Sequence, residues 1–101
     1  MSLVTSVVVF CQEDIEKVKA FEWQRRSGLV DRTDLAEVSK DAGGSKVFHG
    51  RLYAGGFNFF PAWDFIEHLE SVEWTFPDEV VVTIQQEDCP VTVWTPKAGE
   101  L

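Results

Sequence analysis

Between Leu52 and Pro96 the chain has no lysine and no arginine. The same segment carries Asp64, Glu67, Glu70, Glu73, Asp78, Glu79, Glu87 and Asp88. From Met1 to Arg51, by contrast, eight acids are matched by eight bases. The net charge of −8 therefore sits in the second half. Such a surface repels nucleic acid and anionic membranes. It steers basic partners, and it also serves plain solubility. Cysteine is scarce too: Cys11 and Cys89 are too few for a disulfide scaffold, so free thiols in a cytoplasmic protein are expected. The longest apolar run, Val7 to Cys11, is far too short to span a bilayer, and no secretory signal pattern occurs. There is no G-x-S-x-G, H-E-x-x-H or C-x-x-C motif. Gly43-Gly44 and Gly55-Gly56 lie outside any phosphate-loop pattern and read as turn chemistry. No conventional hydrolase or zinc enzyme is signalled, and no metal or cofactor is expected.

What is present is the material of one domain. A chain of 101 residues with 45% apolar content can bury a core without a metal or a disulfide. A single α+β domain over 1–101 is expected, with 96–101 a frayed tail. Val4 to Phe10 is rich in β-branched residues and, beyond the small polar Thr5 and Ser6, apolar on both alternating faces, the pattern of a central strand covered on both sides. Gln12 to Ser27 has acids at its start and bases at its end, which suits a helix dipole, with Gly28 as terminator. Ile15, Val18 and Phe21 share a helical face, and Trp23 lies off it. Leu29 to Thr33 is a connection. Leu35 to Lys40 is a weak edge strand, Asp41 to Gly44 a turn, and Lys46 to Ala54 the return strand, broken by Gly55-Gly56.

Six of the 13 aromatic residues fall between Phe57 and Trp74. Within this stretch Pro61 opens a helix. Ala62, Phe65, Ile66, Leu69 and Val72 occupy one arc of about 120°, and Asp64, Glu67 and Ser71 lie opposite. Glu79 to Gln86 is a strong strand, Glu87 to Pro90 a turn, and Val91 to Thr95 a short final strand. The order is β-α-β-β-α-β plus one strand. It matches a ferredoxin-like sandwich, with two helices on one face of an antiparallel sheet. The match is to an architecture that hosts many unrelated functions.

Each candidate site has a bland alternative. Asp64 and His68, four apart on the second helix, can meet, but a metal site needs three or four ligands and a solvated pair is the simpler reading. Cys11 ends the first strand where a helix begins, a place that can activate a thiol. Nearby Glu13, Asp14 and Glu16 oppose that, and cysteine is among the most buried residue types. His49, Arg51 and Tyr53 share one face of a strand, and His49 serves as a base for Cys11 only if the fold joins them. Trp63 sits at the edge of its helix's apolar arc. It is either an interface anchor beside acids or half-covered by the following loop.

Two functional classes follow. One is a non-catalytic protein-interaction module. It binds a basic protein, in the manner of an inhibitor or immunity protein, through Trp63, Asp64, Glu67, His68 and Glu70. Alternatively it binds itself as a homodimer, through an open sheet face or an edge strand. The other class is a small enzyme or ligand-binding protein using Cys11 and His49, with Arg51 and Tyr53 nearby. The non-catalytic reading is the expectation, with no nucleic-acid or membrane partner.

Overall fold

The apolar strand at the start of the chain organises the sheet. In the computed structural model, which describes residues 4–46 and 50–96, β1 (Val4–Phe10) buries Thr5, Val7 and Val9 and turns Val4 and Ser6 outward, so it is central but covered on one face, not on both as its apolar content suggested. β1 pairs antiparallel with β5 (Leu52–Asn58) on one side and β6 (Val81–Gln86) on the other. β4 (Ala36–Glu37) and β7 (Thr92–Trp94) form the edges, giving the order β4-β5-β1-β6-β7. Two helices, α1 (Ile15–Lys19) and α2 (Ala62–Ser71), complete an α+β fold with an antiparallel sheet. Ile15 and Val18 of α1 and Phe65 and Leu69 of α2 join Val7, Val9, Tyr53, Val82 and Ile84 in one core. Full burial of side chains of this size contributes about 2 kcal/mol each. Among the described residues no helix is long and apolar enough to cross a membrane.

The short final strand expected over Val91 to Thr95 is present as β7. The full arrangement, β4-β5-β1-β6-β7 with a separate two-stranded sheet, is not the ferredoxin-like sandwich expected, and most of the anticipated first helix is absent. The helix expected over Gln12 to Ser27 stops at Lys19. It is followed by a hairpin, β2 (Glu22–Gln24) and β3 (Val30–Arg32), which forms a separate two-stranded sheet. The reason lies in Phe21 and Trp23. On a helix two residues apart face away from each other, whereas in extended chain they face the same way. Here the two rings stack, with centroids 5.8 Å apart and planes at 24°. Extended backbone lets both pack inward, which a helix would not. The turn is closed by Arg25 N–H to Leu29 O at 2.8 Å and by Gly28 at φ +92°, a left-handed angle that suits glycine.

Other boundaries moved as well. The edge strand expected from Leu35 is two residues long and passes into a 3-10 turn at Ser39–Asp41. The return strand expected over Lys46 to Ala54 is β5, which runs through Gly55-Gly56 instead of ending there. A Cβ at Gly55 would meet Phe57 Cζ at 2.9 Å and the Asp34 carbonyl oxygen at 3.1 Å. Glycine at this position admits a neighbouring backbone; it does not break the strand. Val47, Phe48 and His49, and the tail from Lys97, lie outside the described residues.

A buried carboxylate locks α1 to the segment after α2. Asp14, only 2% exposed, accepts the backbone N–H groups of Thr75 and Phe76 at 3.1 and 2.9 Å and pairs with Lys17 at 2.8 Å. Lys17 also donates to the Glu73 carbonyl and the Thr75 hydroxyl. Burial by itself would raise the Asp14 carboxyl, but the Lys17 ammonium and the two backbone donors outweigh it and hold the group below the usual carboxylate range. Asp14→Ala strips these donors of their acceptor and is expected to cost about 3 kcal/mol of stability in urea melts near neutral pH. Because the folded-state carboxyl is the more acidic, its contribution is complete above about pH 4 and is lost as pH falls through the folded-state value. The gap between wild type and Asp14→Ala therefore narrows in melts below about pH 4; a gap that stays constant contradicts this assignment.

Candidate functional site

On α2 the buried residues Phe65 and Leu69 define one side, with Ala62 and Ile66 half-buried beside them. The opposite side carries Trp63, Glu67 and Glu70, spaced i, i+4, i+7 and so aligned along one ridge, with Asp64 alongside. All four are exposed. Trp63 is 81% exposed, which removes the alternative of half-burial under the following loop. Four residues earlier, Phe59 is 71% exposed and holds a left-handed φ of 53°. Such a backbone costs a bulky residue roughly 1–3 kcal/mol. The same turn separates two adjacent rings: Phe60 is buried and Phe59 points to solvent. Phe59 was not singled out from the sequence. Its only signal there was a pair of phenylalanines between Asn58 and Pro61 before a helix, which does not say which ring goes inside.

Phe59 also borders a hollow of about 590 Å³ lined by Trp23, Gln24, Arg25, Arg26 and Ser27. Arg25 is tied to Asp31 by two contacts of 2.5 and 2.8 Å, which raise the guanidinium's value and lower the carboxyl's. Phe59 thus sits against the hairpin turn that carries Arg25 and Arg26. The Trp23 indole N–H is buried here without a hydrogen-bond partner among the described residues.

The remaining predicted residues are dispersed. His68 lies apart from the acidic ridge: its Nε2–H donates to the Lys17 carbonyl at 2.8 Å, and its ring sits 5.5 Å from Phe21. It helps dock α2 on α1. Among the described residues no group of three or more His, Cys, Asp or Glu is placed to hold a metal. Tyr53 is buried in the core, paired with Val9 across the sheet. Arg51 is exposed and lines a shallow depression of about 350 Å³ with Gln12, Glu13, Phe76 and Glu79. His49 lies outside the described residues. Cys11 has no exposed surface, and burial, then the Asp14 and Glu79 carboxylates, push its thiol up to about 11. A thiol of this kind is protonated at neutral pH and is a poor nucleophile.

Set against family models, curated proteins and solved structures, the chain matches none.

Cys11 and Cys89 are both free, one buried and one exposed. Iodoacetamide at neutral pH is therefore expected to label Cys89 about a hundredfold faster than Cys11, which reacts only once denaturant opens the core. Mass spectrometry of the two peptides checks this; rapid native labelling of Cys11 would restore it as a reactive group.

Proposed function

We propose that the protein is a non-catalytic interaction module that docks a basic protein partner on the outer ridge of α2. The observation that carries the reading is Trp63, a tryptophan 81% exposed on a regular helix and aligned with Glu67 and Glu70. A large rigid ring ringed by carboxylates suits a cationic partner. The ring supplies desolvated contact area, and its face attracts ammonium or guanidinium groups. The acids steer the encounter and reject acidic competitors. Phe59, exposed four residues before Trp63 and carrying a left-handed backbone, is taken as part of the docking surface, since strain of this kind concentrates where function needs it.

Two further expectations belong to this reading. The inner strands β4-β5-β1-β6 are taken as a ferredoxin-like unit elaborated by β7 and by the hairpin, a view supported by β1 lying between β5 and β6. A cytoplasmic setting is supported by two thiols left unpaired. The enzymatic alternative loses ground because Cys11 is buried and its thiol is raised to about 11.

The test is affinity capture on immobilised protein at about 0.05 M and about 0.5 M salt, comparing wild type with Trp63→Ala, Phe59→Gly and the pair Glu67→Lys, Glu70→Lys. Basic proteins are expected to bind at low salt and to elute at high salt. Trp63→Ala should weaken capture by about 2 kcal/mol, roughly thirtyfold, and the charge reversals should abolish it. Phe59→Gly should weaken capture while leaving the melting temperature unchanged or higher, because glycine takes the left-handed angle freely. Retention that ignores salt, or that survives loss of Trp63, would remove the proposal.

A further inference from the structure

Within its strands, the face of the sheet opposite the helices carries no charged side chain; Glu87, one residue past β6, stands at its rim, where its carboxylate accepts the Val4 N–H at 3.3 Å. The register places Ala36 opposite Ala54, Ala54 opposite Val8, Val8 opposite Thr83 and Thr83 opposite Val93. These residues form one row across all five strands, and Val8 on the middle strand is its centre. Across β1, β4, β5, β6 and β7 no outward-facing residue of this side is Asp, Glu, Lys or Arg. Val93 is 63% exposed, and Val4 and Val81 are exposed as well. At one end Gly50 lies against the Phe10 ring, where a Cβ would meet Cζ at 3.0 Å; the rows nearer Val4 stay open.

We infer that this face binds a second copy of the same chain, sheet on sheet, about a two-fold axis passing near Val8. Three arguments select that occupant. A copy of net charge −8 meeting its twin must avoid burying carboxylates, and this face lets it do so while the acidic ridge of α2 stays outside. The row is centred on the middle strand, so a two-fold axis lays it onto itself, as an isologous contact requires. The alternative route, edge-to-edge pairing, is blunted at both ends. β4 is two residues long, and β7 has three residues bracketed by Pro90 and Pro96. The face measures about 19 Å across five strands and about 20 Å along β1, roughly 400 Å² in plan per copy. That lies at the small end of specific interfaces and fits a weak, reversible dimer. Packed sheets sit about 10 Å apart, a gap that valine, threonine and alanine side chains fill.

Sedimentation velocity of the full chain tests the inference, from micromolar to about 1 mM and at two salt concentrations, with Val93→Glu, Thr83→Lys and Trp63→Ala beside wild type. Wild type should pass from monomer to dimer as concentration rises, and added salt should leave the dimer intact or strengthen it by screening self-repulsion. Val93→Glu and Thr83→Lys, each checked for folding by circular dichroism, should weaken the dimer by at least about tenfold. Trp63→Ala should not weaken it, which separates this surface from the proposed partner site on α2. A wild type that stays monomeric at about 1 mM leaves the face to some other occupant and overturns the inference. So does a dimer that a folded Val93→Glu or Thr83→Lys chain retains, or one that Trp63→Ala abolishes.

Discussion

Phe60 is the ring on which the covered side of the protein depends. Its centroid lies 5.0 to 5.9 Å from those of Phe65, Trp23, Phe57 and Phe21. Those four rings come from α2, β2, β5 and the residue ahead of the β2–β3 hairpin, so one side chain joins elements that share no backbone hydrogen-bond ladder. Several contacts are edge-to-face, the arrangement that ring quadrupoles favour. Removing this hub would leave the two-stranded hairpin with little to hold it, since a lone hairpin is marginal in water. The left-handed backbone at Phe59 is coupled to the same requirement, because the chain must turn sharply between β5 and α2 with one ring of an adjacent pair pointing inward.

The second anchor is polar and lies at the other end of α1. Asp14 and Lys17 gather the segment between α2 and β6, and His68 adds a bond from α2 to the Lys17 carbonyl. The groups sequence reasoning set aside for chemistry are therefore spent on structure. His68 positions a helix, Tyr53 and Cys11 fill the core, and Asp14, close by in sequence, is a buried clamp; burial first, with the Asp14 charge second, keeps the Cys11 thiol protonated. The surface is left with two contrasting sides. One is a helix ridge of acids and exposed aromatics; the other is a sheet face whose strands present no charged side chain.

Much of this was legible in the chain. The central place of β1, the arc of Phe65 and Leu69 on α2 and the apolar run of β6 each follow from a pattern contained within one element, whereas the coverage of β1 on one face only does not, because Val4 to Phe10 is apolar on both faces. The acidic half of the chain and its aromatic cluster were equally plain. Trp63 was visible as an ambiguous residue, since its place at the edge of an apolar arc fits either burial or exposure. What could not be read locally was Gln12 to Ser27. Its charges obey the helix dipole along the whole span, yet Phe21 and Trp23 need the two-residue period of extended chain to reach Phe60. That demand comes from residues about 40 positions away. In the same way Gly55-Gly56 looks like a break, and only the approach of Asp34 and Leu35 shows why a strand would contain it.

The sequence by itself determined the α+β class, the central strand, the amphipathic second helix and the sign and location of the charge. Each of these is a local property, carried by side-chain periodicity or by simple composition. Only the tertiary structure decided that the first helix gives way to a hairpin. It also decided that Asp14 is a buried clamp, that Phe59 and Trp63 face solvent while Phe60 does not, and that the strands of the far side of the sheet present no charged side chain. Those outcomes depend on which distant groups compete for the same space and the same hydrogen bonds, and such competition exists only once the chain has folded.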